Sequence, residues 1–144
     1  MLRLATLDDV PALSRLALAM SDNSSFAVLG FCPERFAAFV APLITHGFAL
    51  VSDIDGEVVG AMLGDVVQPW FAKNRMGVEY AVYLAPEHRS GLTAARMVSR
   101  WERWCKEQGA VQCRPSISTG NTQISRLYEA MGFETVGAAY SKTF

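Results

Sequence analysis

The chain has 144 residues, of which 51% are hydrophobic and 19% charged, and this predicts one folded domain over residues 1–144 rather than a disordered chain. Its formal net charge of −1 argues against nucleic acid as the main partner, because proteins that bind a polyanion usually carry a basic excess. No apolar run approaches the roughly 18 residues of a membrane span, and the three widely spaced cysteines fit neither a disulfide framework nor a zinc site. We therefore expect a cytoplasmic protein with no membrane partner and no metal.

Hydrophobic periodicity, together with turn and cap residues, predicts the element order β-α-α-β-β-β-α-β-α-β-β. The predicted strands are Leu2–Ala5, Phe48–Val51, Glu57–Val67, Val78–Leu84, Ala110–Ile117, Phe133–Val136 and Ala138–Thr143. The predicted helices run from Val10 to Met20, from Pro33 onward, from Leu92 to Gln108 and from Asn121 to Met131.

Local signals mark several of these boundaries. Thr6 and Asp9 resemble a capping box, the segment 53–56 ending in Asp55-Gly56 predicts a hairpin turn, and Pro42 is expected to kink or shorten the second helix. Strand–helix–strand crossovers in the second half predict neighbouring parallel strands. The pattern as a whole predicts a mixed α/β sheet with helices on both faces.

The segment from Val82 to Ala95 is the most informative for function. A strand ends at a proline, and a short loop with Arg89 and Gly91 then enters a helix. The first turn of a helix has free N–H groups and a partial positive charge, which favours an anion such as phosphate. An ordinary strand–loop–helix turn explains the same residues.

A second informative segment runs from Asn121 to Phe133. Asn121 is a suitable helix cap, and Tyr128 lies seven residues later, about two turns on, so that both side chains can point the same way. Gly132 fits the left-handed position that ends a helix. Taken alone, these residues are equally typical of a capped helix with one packed aromatic side chain.

Together, at this spacing, the two segments resemble the GNAT superfamily of acyl-CoA-dependent N-acyltransferases, in its small single-domain phage or bacterial form. The resemblance covers essentially the whole chain, from Arg3–Thr6 through the hairpin at Asp55-Gly56. It is most specific at Pro86–Ala94 and at Asn121–Phe133. It implies a GNAT fold, with a mixed sheet of six to seven strands flanked by about four helices.

The phosphate loop of that family reads Gln/Arg-x-x-Gly-x-Gly/Ala. Arg89 and Ala94 match this pattern, whereas Leu92 stands at the first glycine position and Gly91 lies one residue earlier. The resemblance implies that backbone N–H groups of this loop hold the pyrophosphate of coenzyme A, that the Val82 backbone meets the thioester carbonyl and that Leu84 and Asn121 contact the pantetheine arm. The residues assigned to acetyl-CoA, the expected co-substrate, are Val82, Leu84, Arg89, Ser90, Gly91, Leu92, Thr93, Ala94 and Asn121.

The resemblance also places Tyr128 near the thioester sulfur. A tyrosine hydroxyl is neutral at pH 7 and can donate a proton to the departing thiolate, so Tyr128 is the expected general acid. Glu79 is the only acid in its strand and is a candidate base. The family's strand glutamate aligns with Val78, however, and a one-residue shift points to the other face. Ordered water is the alternative route for the proton.

We therefore expect an N-acetyltransferase that moves an acetyl group from acetyl-CoA to a primary amine by direct attack in a ternary complex. The alternative is a catalytically weak GNAT-fold module that binds acyl-CoA or a partner. The acceptor, a small molecule or a peptide, is not fixed by the sequence, and a homodimer is possible. Four loop or chain-end aromatic residues are hypothesised to frame the acceptor pocket: Phe26, Trp70, Phe71 and Tyr140.

Overall fold

A computed structural model describes residues 1–120 and 122–144. Within them the chain forms a five-stranded sheet and four α-helices, with short 3₁₀ turns at Leu7–Asp9, Ala27–Leu29 and Pro86–His88. The strands are β1 (Leu2–Leu4), β2 (Phe48–Ile54), β3 (Glu57–Val67), β4 (Arg75–Leu84) and β5 (Ala110–Arg114), and the helices are α1 (Val10–Asp22), α2 (Pro33–His46), α3 (Thr93–Glu107) and α4 (Thr122–Ala130).

The strands follow one another across the sheet in the order β1-β2-β3-β4-β5. The first four are antiparallel neighbours. β5 runs parallel to β4, because α3 crosses over between them as a parallel pair requires. The predicted α/β class and mixed sheet are confirmed.

Helices cover both faces of the sheet, as the sequence predicts. On one face, α3 and α4 pack over a core that includes Phe48, Met62 and the fully buried Trp101. On the other face, α1 and α2 contribute Leu13 and Val40 to a second core. Alternate residues of the central strands β2 and β3 enter the two cores, so both strands are buried almost throughout.

The predicted hairpin turn between β2 and β3 is confirmed. Asp55 and Gly56 both have positive φ angles, of 52° and 85°, as the two-residue turn that matches strand twist demands. The same hairpin anchors the N-terminus, since Arg3 binds Asp53 of β2 and also Asp9 at 2.8–3.0 Å. The Asp9 carboxylate accepts the Thr6 N–H at 2.7 Å, which is the reciprocal contact of the predicted capping box.

Three predictions about element bounds are wrong. The last two strands, Phe133–Val136 and Ala138–Thr143, are absent, so the described sheet has five strands rather than six or seven. Their alternating pattern is typical of strands, but a strand also needs a paired neighbour, and these residues have none within 1–120 and 122–144. β5 ends at Arg114 rather than Ile117, because Pro115 has no N–H for the ladder. Pro42 does not shorten α2, which continues to His46, and a kink at Pro42 stays a prediction.

Candidate active site

The candidate site lies where β5 separates from β4. The two strands pair from Arg75 to Val78 of β4, and beyond Val78 the described part of the chain places no strand against this edge. On the other edge, Ala85 N–H donates to Val59 O at 2.9 Å. Hydrogen-bonded residues alternate along an antiparallel pair, and the register therefore turns the backbone groups of Val82 and Leu84 away from β3, towards the open edge.

A cavity of about 540 Å³ occupies this open edge. The end of β4 forms one wall, the loop into α3 forms the second, and α4 forms the third. Among the sequence-predicted residues, those that line the cavity are Val82, Leu84, Arg89, Gly91, Leu92 and Ala94. Two distant segments of the sequence, 82–94 and the start of α4, thus meet around one space.

The loop into α3 has the geometry of an anion site. Gly91 adopts a φ of +90°, a conformation that a side chain would strain, and it delivers the chain into α3 at Leu92. The first helical hydrogen bond runs from Arg96 N–H to Leu92 O at 2.9 Å. The N–H groups of Thr93 and Ala94 therefore lie outside the helical ladder, as in any first turn. The Leu92 side chain is 65% exposed and Ser90 is exposed.

Arg89 makes a hydrogen bond to one of the backbone groups on the open edge of β4. Its Nε donates to the Leu84 carbonyl at 2.8 Å, and its guanidinium lies over the Tyr83 ring at 5.2 Å from the centroid. These two contacts fix the side chain at the wall of the cavity. The Nη atoms make no further hydrogen bond within residues 1–120 and 122–144, and so a positive charge faces the space beside the helix N-terminus.

A bulge in β4 decides where Glu79 points. Gly64 of β3 pairs with Glu79 and Leu63 pairs with Ala81, which leaves Tyr80 as an extra residue. Bulges re-aim side chains in this way. As a result, Glu79 shares the α3/α4 face with Val82. Val78 and Glu79 face opposite sides of the sheet, as expected, and Glu79 is the one on the α3/α4 side.

Glu79 is mostly buried, and this raises the pKa of its carboxyl to about 7. A hydrogen bond from the Ser116 N–H, at 2.9 Å, opposes that shift without cancelling it. At neutral pH the carboxyl is thus poised between its charged and neutral forms. Such a perturbed group is typical of functional sites, although Glu79 is not among the residues that line the cavity.

Tyr128 projects from α4 into the core and is not among the residues that line the cavity, although its neighbour Leu127 is. Its side chain is 7% exposed, its ring packs against Phe133 at 5.6 Å, and its buried hydroxyl has no hydrogen-bond partner among the described residues. Burial, reinforced by the charge of Glu79, raises the pKa of this hydroxyl well above its ordinary value. Tyr128 therefore keeps its proton at neutral pH, and its unpaired hydroxyl calls for a partner.

Other sequence-predicted residues lie elsewhere. None of the four aromatic residues hypothesised to frame an acceptor pocket lines the cavity: Trp70 and Phe71 contact each other with ring centroids 5.2 Å apart, while Phe26 and Tyr140 are exposed. That these four residues frame an acceptor pocket stays a prediction. Asn121 lies outside the described residues.

The sequence did not reveal how the far wall of the cavity is built. Ser24, just after α1, forms an isolated bridge with Thr119, and Ser25 N–H donates to Ser118 O at 3.0 Å. This contact joins the segment between α1 and α2 to the segment before α4 and places Asn23 in the cavity wall. Polar residues without a clear period carry no signal for such a long-range pairing.

A profile of the Acetyltransferase (GNAT) family matches residues 21–133, a range that contains the whole cavity. The chain belongs to the Acetyltransferase (GNAT) family. No curated protein sequence is significantly similar to it. Among the residues that the structure describes, no helix is long and apolar enough to cross a membrane, and no group of three or more His, Cys, Asp or Glu side chains could hold a metal ion.

Solved structures share the fold over the full length of this GNAT chain. A ribosomal-protein-alanine N-acetyltransferase from Brucella melitensis biovar Abortus 2308 is 17% identical, with a TM-score of 0.74 over 100% of this chain and 98% of that one. The aminoglycoside N-acetyltransferase AAC(6')-Iy in complex with CoA is 13% identical, with a TM-score of 0.78 over 100% and 93%. A transcriptional regulator from Bacillus halodurans C-125 is 14% identical, with a TM-score of 0.80 over 100% and 99%.

Proposed function

We propose that this protein is an N-acetyltransferase that transfers an acetyl group from acetyl-CoA to a primary amine by direct attack in a ternary complex. One observation carries the proposal. The open edge of β4 at Val82, the N-terminal end of α3 at Leu92 and the α4 residues up to Leu127 line one cavity. Tyr128, the next residue of α4, has a buried hydroxyl with no partner among the described residues. Membership of the GNAT family supports this use of the site.

The residues present fit acetyl-CoA. Its pyrophosphate suits the free N–H groups of the first turn of α3 and the charge of Arg89. Its pantetheine amides suit the outward N–H groups of Val82 and Leu84, as if the arm were a short added strand. The aminoglycoside acetyltransferase that shares this fold was solved with CoA.

Acetyl-CoA supplies the activated thioester, and the chain supplies the groups that stabilise charge on it. The N–H of Val82 would donate to the thioester oxygen as negative charge develops there. A fixed donor of this kind lowers the barrier because it binds the transition state better than the ground state.

Tyr128 would donate its proton to the sulfur as the thiolate leaves. A thiolate in water has a conjugate pKa near 8.5, and the burial that raises the pKa of Tyr128 also raises that of a thiol held beside it. Burial thus shifts both groups in the same direction, and Tyr128, which is protonated at neutral pH, would be the proton donor to the departing thiolate.

The attacking amine must lose a proton, and Glu79 is the candidate acceptor. With a pKa raised to about 7 by burial, its carboxylate form is available at neutral pH and is basic enough to take a proton. Ordered water between the amine and solvent is the alternative route. The pH dependence of a Glu79 variant separates the two.

The acceptor is a small-molecule or peptide amine. Structures with this fold carry names as different as ribosomal-protein-alanine N-acetyltransferase and aminoglycoside N-acetyltransferase. A shared fold therefore does not select between them.

Thermal unfolding with CoA and acetyl-CoA, followed by thiol release over an amine panel, tests the proposal. We expect both ligands to stabilise the fold, by about 2.7 kcal/mol at roughly 100 times Kd, and at least one amine to release thiol. Tyr128→Phe should keep the ligand-induced stabilisation and lower turnover roughly 10²- to 10⁴-fold.

Each other outcome has a defined meaning. Stabilisation without turnover on any amine would instead identify a GNAT-fold module that binds acyl-CoA. No stabilisation by either ligand would contradict both functions. Unchanged turnover in Tyr128→Phe would remove the acid role alone.

A further inference from the structure

The indole N–H of Trp101 is a buried donor without an acceptor. Trp101 lies in α3 and is 0% exposed, and its Nε1 atom has no hydrogen-bond partner among the described residues. A buried tryptophan usually places this N–H against a partner, because an unpaired buried donor loses its hydrogen bonds to water and gains nothing in exchange. The position of this N–H therefore implies an acceptor within the core.

The Trp101 N–H lies over a pair of opposed residues in the sheet. Gly64 of β3 has no side chain, and a Cβ at that position would collide with Trp101 Nε1. Gly64 pairs with Glu79 of β4. Opposed residues of an antiparallel pair have Cβ atoms roughly 5 Å apart on the same face, so Trp101 Nε1 occupies the side-chain position next to that of Glu79. The glycine thus leaves room for the indole beside the carboxyl.

The Glu79 carboxyl has acceptor capacity that its present contacts do not use. Ser116 supplies its hydrogen bonds, since the Ser116 N–H donates to Oε2 at 2.9 Å and the Ser116 side chain also favours the charged form by lowering the pKa. A carboxylate has two oxygens and accepts several hydrogen bonds, whereas a protonated carboxyl accepts fewer. The charged form of Glu79 therefore has a use for a second donor.

The other titratable side chains packed on this face do not compete for the indole N–H as anions. They are Tyr128 of α4, Cys105 of α3 and Cys113 of β5. Burial raises the pKa of each of these three groups, so all three keep their protons at neutral pH. Burial also raises the pKa of Glu79, but only to about 7, and this carboxyl therefore ionises first.

We propose that Trp101 is a positioning residue for Glu79, whose carboxylate turns towards α3 and accepts the Trp101 indole N–H once its proton has left. The Ser116 N–H and the Trp101 N–H together hold the carboxylate in one orientation. A donor favours the charged form, so this contact opposes the effect of burial on the pKa. The contact itself is independent of the reaction, whereas its effect on catalysis rests on the proposed role of Glu79 as base.

Proton–nitrogen NMR spectra of the full chain between pH 4 and pH 9 test the contact. The chain has three tryptophans, and their indole peaks are assigned with Trp70→Phe and Trp104→Phe. We expect the Trp101 indole proton to move downfield as Glu79 loses its proton, because the carboxylate becomes its acceptor. The Trp70 indole, on a side chain that is 95% exposed, is the internal control and should stay in place. Glu79→Gln should abolish the movement of the Trp101 peak.

Trp101→Phe removes the N–H and keeps an aromatic ring in the core. Without this donor the pKa of Glu79 should rise by roughly one pH unit, since a hydrogen bond to a charged group is lost. The pH dependence of the unfolding free energy and the pH limb of kcat/KM should both move by that amount. Trp104→Phe makes the same change in a half-buried residue of the same helix and should leave both profiles in place. The NMR titration of the parent chain decides the matter if Trp101→Phe does not fold.

Three results would overturn the inference. The Trp101 peak could stay in place while Glu79 ionises, which would identify another acceptor, such as the Val78 carbonyl beside Gly64. The movement of the Trp101 peak could persist in Glu79→Gln, or a folded Trp101→Phe could leave both pH profiles unchanged. A Trp101 peak that titrates with Glu79, together with an unaltered pH–rate profile in Glu79→Gln, would instead confirm the contact and contradict the proposed base alone.

Discussion

Replacing Glu79 with Gln should make the protein more stable at pH 8 than the parent chain, and equally stable at pH 4. Burial raises the pKa of this carboxyl from an ordinary 4.5 to about 7. Between these two values the folded chain retains a proton that the unfolded chain has lost, so the parent chain loses stability as pH rises through that window. A shift of this size corresponds to at most about 3 kcal/mol, at 1.36 kcal/mol for each pH unit.

Urea denaturation of both chains from pH 4 to pH 8 measures the effect. The difference between their free energies of unfolding should grow with pH and level off above pH 7. Gln keeps an oxygen that can accept the Ser116 N–H, which limits other changes. Glu57→Gln is a suitable control, because Glu57 is exposed at the start of β3. The unfolding free energy of this variant should differ from that of the parent chain by the same amount at every pH. A flat difference for Glu79→Gln as well would refute the burial argument.

The same variant tests the proposed base. If Glu79 takes the proton from the amine, kcat/KM of the parent chain should rise through a pKa near 7, and Glu79→Gln should lose this limb. An unaltered pH–rate profile would exclude Glu79 and leave ordered water as the route. The pH dependence of stability reports the pKa of the Glu79 carboxyl whether or not the residue takes part in catalysis. A raised pKa together with an unaltered pH–rate profile would therefore show that the pKa is right and the proposed role is wrong.

Two further predictions concern stability. Arg3→Ala should cost about 2 kcal/mol at pH 7, since the Arg3 hydrogen bonds lower the pKa of Asp9 from 3.8 to about 2. That stabilisation is lost as pH falls through this range, so the free energies of unfolding of the parent chain and the variant, measured with urea, should converge in acid. A difference in unfolding free energy that does not change with pH would exclude the Asp9 contact as its source. Gly64→Ala should destabilise the fold by roughly 1–3 kcal/mol, because a Cβ there would collide with Trp101 Nε1. Gly120→Ala, where a Cβ would meet nothing within 4 Å, is the control and should leave the free energy of unfolding nearly unchanged. Equal stability of the two variants would show that the Trp101 side chain moves aside at no cost.

The elements that could be predicted are those whose signals are local. The Asp55-Gly56 turn, the β4–α3–β5 crossover and the apolar stripe of α3 each lie within a short stretch of sequence, where periodicity and turn chemistry suffice. The two segments around the cavity could be found for the same reason, since each is a continuous run. What brings them together is the sheet, and the family resemblance supplied that knowledge.

The features that could not be predicted depend on a distant partner. A strand forms only when a neighbour pairs with it, and residues 133–143 have strand periodicity without such a neighbour among the residues that the structure describes. The contact of Ser24 with Thr119 joins residues far apart in sequence through backbone groups, which every residue has. The four aromatic residues were chosen by residue type and loop position, and neither criterion shows whether their rings meet around one acceptor; their exposure leaves that call a prediction.

The bulge at Tyr80 decides which face of the sheet the Glu79 side chain is on. In a regular strand Glu79 would share a face with Ala81, which packs against the α1/α2 core. The extra residue instead turns Glu79 towards the α3/α4 face, where its charge reaches Tyr128. It lies just beyond Val78, where pairing with β5 ends. The strand therefore changes its facing at the same point where its edge becomes free, and Glu79 shares a face with Val82 of the cavity wall.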